Sequence, residues 1–210
     1  MTADAIPRRG RPPSITRERI AAAGIELTLP AMTFAAVAKH LRVTQAALYK
    51  HLDGLDALRR LVAEEIFTRW QIPAPDPDGA PIEDYLLEFG LSIRALAHDH
   101  PGISGYLTRH TETTPTMINK IAAHHHDVAH AYRLPPQATR WLLSTIAFHC
   151  VALADTIYAS YGTATERSDP SSTIEEDFVW GVKSLILGSL QVAGIEVDPG
   201  PGWSLHPDTD

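Results

Sequence analysis

The sequence predicts an all-helical protein built in two parts, and three features lead there. Apolar residues recur at helical spacing along most of the 210 residues, and no alternating run of convincing strand length occurs. PAPDPDGAP at 73–81, dense in Pro and Asp, reads as a linker between a short front region and a longer back one. With 44% hydrophobic and 20% charged residues, the composition is that of an ordinary globular protein, and the length suffices for a core without staples.

Residues 1–15, through RRGRPPS, are rich in Arg, Pro and Gly and are expected to form an extended basic arm. Thr16 can cap a helix that begins near Arg17 and carries Ile20, Ala23 and Leu27 on one face, with Pro30 closing it. Thr33 caps FAAVAKHL, in which Phe34, Val37, Ala38 and Leu41 have the spacing of a buried stripe. After Arg42 and Val43, Thr44 caps a third helix, QAALYKHL, and Asp53, Gly54 and Asp56 mark a turn before ALRRLVAEEIFTRW. The front domain therefore spans 16–71. The back domain, 72–196, holds helical patterns at roughly 82–99, 102–110, 115–133, 136–161 and 173–194. The tail, 197–210, is expected to be loose.

Several classes are disfavoured. The longest apolar stretch is interrupted by Arg140, His149 and Asp155, so no membrane span or membrane partner is expected. The N-terminus has arginines but no apolar segment of a secretory signal, and Cys150 is the only cysteine; both favour the cytoplasm. No G-x-S-x-G, P-loop or dinucleotide fingerprint occurs, and His149 and Cys150 project from different sides of one helix, so neither an enzyme nor a cofactor is expected.

The net charge of −7 conceals an asymmetry. Residues 1–71 hold eleven Lys/Arg against seven Asp/Glu, whereas the remainder holds seven against eighteen. A basic front suits a polyanionic partner and an acidic back repels one, so the two regions have different tasks.

Two short helices joined by a three-residue turn, behind a supporting helix, make a helix-turn-helix whose second helix can enter the major groove of double-stranded DNA. Leu48 and Leu52 would pack with Val37, Leu41 and Val43, leaving Gln45, Ala46, Tyr49 and Lys50 outward. Gln pairs with adenine, Ala permits close approach, and Tyr and Lys hold phosphates. Thr33 and Thr44 can each grip a phosphate through free N–H groups at their helix starts. Arg8, Arg9 and Arg11 are either solvated or follow the DNA backbone or minor groove, and the second reading is favoured.

On these residues, TFAAVAKHL at 33–41, then VTQAALYKH and DALRRLV, the stretch 16–67 resembles the DNA-binding domain of the Tet repressor family of bacterial transcriptional regulators. The resemblance implies that Gln45 and Ala46 lie against base edges, that Tyr49 and His51 hold the DNA backbone, and that Thr33 binds a phosphate. Three positions depart from the family pattern. Arg42 stands where the turn usually has Gly, so the turn is wound differently or Arg42 itself reaches a phosphate. Leu55 replaces a frequent Lys, and Ala35 stands where some members place a base-reading Arg.

For the back domain the resemblance implies dimerisation and a ligand cavity. The last two helices would form a four-helix bundle in a homodimer, with Gly181, Gly188 and Ser189 allowing close approach, on a pseudo-palindromic operator. Candidate cavity residues for a moderately hydrophobic small-molecule effector are Phe89, Ile93, Tyr106, Met117, Ile121, Trp141, Phe148 and His149, with Asp155 as a polar anchor. The alternative is a metal-sensing or metal-binding protein using HHHDVAH, where His126 and His130 stand at i and i+4 beside His124, His125 and Asp127. With no clear third ligand, a solvent-facing His cluster is preferred. Entry of a ligand would release a repressor from its operator.

Overall fold

A computed structural model describes residues 15–109, 111–160 and 172–204, except for the side chains of 155, 157–160 and 172–175. The regular structure among the described residues is all helical, with no strand. The helices are α1 (Arg17–Leu27), α2 (Phe34–Leu41), α3 (Gln45–Tyr49), α4 (Leu55–Arg69), α5 (Ile82–Asp99), α6 (Ser104–Thr108), α7 (Pro115–Ala131), α8 (Pro136–Ser160) and α9 (Ser172–Val192). None is long and apolar enough to cross a membrane, among the described residues.

The threonine caps set the front helices. Thr16, Thr33 and Thr44 have extended backbones, and their hydroxyl oxygens accept from the N–H groups of Arg19, Ala36 and Ala47 at 3.3, 3.1 and 3.3 Å. Each satisfies an N–H that the helix itself leaves without a partner. Between α2 and α3 the turn is wound left-handed at Arg42, φ 56° and ψ 45°, and Val43 N–H reaches back to the Ala38 carbonyl. That six-to-one bond is the Schellman closure, whose left-handed residue is normally glycine. The turn is therefore not wound differently: Arg42 takes the left-handed conformation that glycine usually occupies.

Ile20, Val37, Leu48, Leu58 and Val62 are fully buried at the centre of the front core. Helices α1 and α4 meet at Gly24, where a Cβ would fall 2.3 Å from Val62 Cγ2, so only glycine fits. The back core gathers Tyr85, Leu86, Leu142, Ile146, Val182 and Ile186 from α5, α8 and α9. Those three helices converge at Gly90, whose Cβ would meet Cys150 Sγ at 3.1 Å and Val182 Cγ1 at 3.2 Å.

Two segments differ from the sequence expectation. The stretch 73–81 is held rather than free: Tyr85 donates its hydroxyl to the Pro73 carbonyl at 3.4 Å and Tyr132 donates to that of Ala80 at 3.1 Å. Leu96 and Ala97 of α5, Ile103 and Ala154 of α8 pack into the front core, and Trp70 borders both cores. The two parts thus share an interior. The tail is not loose over 197–204 either. Val197 and Trp203 pack on the back core, the Trp203 indole N–H donates to Asp84 Oδ1 at 2.8 Å, and Lys183 lies over Trp203 while donating to the Gly202 carbonyl. A single large amphipathic side chain outweighs the Pro and Gly around it. Residues 205–210 lie outside the described ones.

Candidate nucleic-acid interface and ligand cavity

The exposed edge of the front domain is built on α3. Leu48 and Leu52 are buried with Val37, while Leu41 and Val43 pack at the margin of the same core. That packing leaves Thr33, Arg42, Thr44, Gln45, Ala46, Tyr49 and Lys50 exposed, with His51 half-buried. Tyr49 is 56% exposed, yet its ring stacks on Phe34 with centroids 4.3 Å apart and planes 13° from parallel. Phe34 therefore fixes the direction in which the phenol presents its hydroxyl. Arg17 donates from Nη1 to the His51 carbonyl at 3.0 Å, tying the start of α1 to the end of α3. Neither supporting role was visible in the sequence, where Phe34 reads only as core and Arg17 as a helix start. Arg8, Arg9 and Arg11 lie outside the described residues.

The back domain holds a half-open cavity of about 360 Å³ between the end of α4 and helices α5 to α8. Six of the nine candidates line it: Phe89, Ile93, Tyr106, Met117, Ile121 and Phe148. Trp141 and His149 do not. The wall of α8 is formed by Leu143, Ser144, Ala147, Phe148 and Val151. His149 follows Ala147 by two residues, a rotation of about 200° that turns it away from this stripe, whereas Trp141, seven residues before Phe148, shares its side of the helix but lies about two turns nearer the start of α8. Trp141 instead lies 41% exposed beside Val192 on the outside. The Asp155 side chain lies outside the described residues.

The polar part of the wall comes mainly from the histidine run. His124 is buried, with Nε2 3.2 Å from the Tyr85 hydroxyl and its ring packed beside Phe89. Burial first, and His125 second, hold its imidazole down at about 4, against a weaker opposing pull from Asp127. His125 is also lowered, by burial and then by Arg140. Both are therefore neutral near neutral pH. Burial likewise raises the Tyr85 hydroxyl, and it pushes the Cys150 thiol up to about 12, which leaves no reactive thiolate.

The metal alternative is not supported by this arrangement. Among the described residues no three His, Cys, Asp or Glu side chains come together to hold an ion. His124 turns inward to the cavity while His126 and His130 are exposed, so the run divides between two faces.

Helix α7 also bears on the front domain. Lys120 Nζ donates to the Phe67, Thr68 and Trp70 carbonyls at 3.0, 2.8 and 2.5 Å, closing the C-terminus of α4. Those carbonyls have no helical partner, and an ammonium complements the negative end of the helix dipole. One turn earlier, Thr116 donates to Glu64 Oε1 at 3.4 Å, and Arg60 pairs with Glu112 at 3.1 Å.

No family model and no curated protein matches the sequence. Solved structures do match the fold. A single-residue variant of TetR from Acinetobacter baumannii AYE, in complex with minocycline, superposes with a TM-score of 0.68 at 21% identity, over 85% of this chain and 98% of that one. ActR from Streptomyces coelicolor gives 0.68 at 18%, over 86% and 97%. SCO7222, a transcriptional regulator from the same organism, gives 0.59 at 20%, over 88% and 100%. The chain has the fold of the Tet repressor family: an N-terminal helix-turn-helix domain followed by a helical domain.

Proposed function

We propose that the chain is a homodimeric transcriptional regulator of this family, a repressor that leaves a pseudo-palindromic operator when a moderately hydrophobic small molecule enters the cavity. The observation that carries the proposal is the seating of α3: Leu48 and Leu52 are buried, and Gln45, Ala46, Tyr49 and Lys50 stand together in solvent. Gln45 and Ala46 face base edges. Thr33, Thr44, Tyr49, Lys50 and His51 hold the sugar-phosphate backbone, with Arg42 and the arm arginines Arg8, Arg9 and Arg11 adding cationic contacts. It has no catalytic task and works in the cytoplasm, where its operator lies.

Dimerisation is supported by the outer faces of α8 and α9. Trp141, Phe148 and Val192 are exposed there, and beside Gly181 and Gly188 there is open space where another helix can approach. Ser189 has a different place, buried against its own core.

Regulation by a ligand is supported by the cavity and by two neighbours solved with small molecules, the TetR variant with minocycline and ActR with actinorhodin. Met117, Ile121 and His124 line the cavity from α7, and Lys120 on the same helix holds the end of α4. A ligand that prefers a shifted α7 moves α4, and with it the spacing of the two recognition helices.

Selection of bound duplexes from a random pool at two salt concentrations tests the proposal. Enrichment of a palindrome with strong salt dependence is expected; retention of DNA without enrichment would remove the sequence-reading role.

A further inference from the structure

We propose that the cavity selects an uncharged molecule of two to three rings carrying one or two hydrogen-bonding groups. The proposal rests on the reading of this cavity as the effector site and names the chemical class that the site takes.

Size sets the ring count. A cavity of about 150 Å³ holds one benzene. The cavity here is about 360 Å³, between two and three times as large.

Shape favours flat rings. Five of the lining residues are aromatic, and three of these form a continuous run: Phe67 meets Trp70 edge-on at 5.5 Å, and Trp70 stacks near Phe89 at 6.3 Å.

Charge is excluded by the composition of the wall. Among the described residues, no Asp, Glu, Lys or Arg lines the cavity. The nearby Lys120 ammonium is committed to three carbonyls of α4. His124 and His125 are both held neutral by burial, so an entering anion would have to protonate an imidazole against that cost, and a cation would find no carboxylate.

Recognition falls to few groups. Thr108 and Thr113 already donate to the Ser104 and Arg109 carbonyls. His124 directs its Nε2 proton to Tyr85, whose own proton goes to the Pro73 carbonyl, which leaves Nδ1 as an acceptor, and Ser144 contributes a hydroxyl from α8. A phenol, which donates to Nδ1, or a ketone, which accepts from the Ser144 hydroxyl, suits these groups, because each gains a hydrogen bond without carrying charge into an apolar cavity.

The test is calorimetric titration of the full chain near neutral pH with four probes: β-naphthol, fluorenone, β-naphthoate and β-naphthylmethylammonium. The expected result is that the two neutral probes bind at least roughly tenfold tighter than either ion. Ile121→Trp and Ala147→Phe, which fill the cavity from α7 and from α8, should abolish that binding while circular dichroism shows the helices intact. His124→Phe should weaken β-naphthol, and Ser144→Ala should weaken fluorenone.

The proposal is overturned if an ion binds as tightly as the neutral probes, if none of the four binds, or if binding survives in a folded filled variant. Its failure is separable from that of the regulator. A chain that enriches no DNA yet prefers β-naphthol loses the regulatory reading and keeps this one; a chain that enriches a palindrome yet prefers naphthoate does the reverse.

Discussion

The front and back of this molecule use opposite strategies to present a surface. In the front domain, a small core holds α3 so that polar side chains stand in solvent at fixed angles, with Tyr49 stacked on Phe34 and the end of the helix tied to Arg17. In the back domain, the surface on offer is an interior one, mostly apolar, with its imidazoles kept neutral. The first suits a partner that is charged everywhere and varies only at its base edges; the second suits a partner that must leave water. One face needs rigidity, whereas the other needs room.

Removing packing should separate the two most strongly. Leu48→Ala empties a fully buried site under α3 and is expected to cost about 3 kcal/mol, with loss of DNA binding. Ile121→Ala only enlarges an existing cavity and should cost about 1 kcal/mol. Chemical denaturation of both variants checks this, and equal losses would mean that the cavity wall is as tightly packed as the core.

Acid should distinguish the halves next. The folded state holds His124 down at about 4 against the usual 6.5, so the unfolded chain binds more protons between these values. Stability is intact above about 6.5 and falls as pH drops towards 4, by up to about 3 kcal/mol for this group. His124→Phe should flatten that part of the profile, and thermal unfolding at stepped pH would show whether it does. His125, also lowered, adds in the same direction.

Smaller effects probe the two contacts outside that comparison. Gln45→Ala should cost roughly 1 to 3 kcal/mol on the preferred operator and relax one base position in each half-site, whereas Tyr49→Ala should weaken all sequences alike. Competition binding against a panel of single-base variants separates the two. Arg42→Gly relieves a left-handed backbone at some cost in chain entropy, for a net gain of up to about 1 kcal/mol seen as a raised Tm.

What was legible in the sequence follows the same division. The front helices announce themselves locally, because a threonine cap and an apolar stripe lie within a few residues of each other, and the outward set Gln45, Ala46, Tyr49 and Lys50 is the remainder of that stripe. The supports Phe34 and Arg17 were not legible as such, since their partners lie fifteen and thirty-four residues away. In the back domain, periodicity marks the helices but not which stripe meets a void. Phe89, Ile93, Met117 and Ile121 fall on the wall, while His149 sits on the wrong side of α8 and Trp141 too near its start. His124 looked like one of a solvated or metal-holding cluster, and only the approach of α5 shows it to be a buried, neutral wall residue. Trp203 and Tyr132 likewise order segments whose Pro-rich composition suggested freedom.

If α3 reads bases while its surroundings only hold it in place, then changing one outward side chain should alter what is read without altering where the protein sits. Parallel selection from one random DNA pool, with the wild-type chain and with Gln45→Ala, puts this to the test. The expected outcome is one palindrome from the wild type and the same palindrome, degenerate at a single position in each half-site, from the variant. Identical palindromes from both proteins, or none from the wild type, would contradict it.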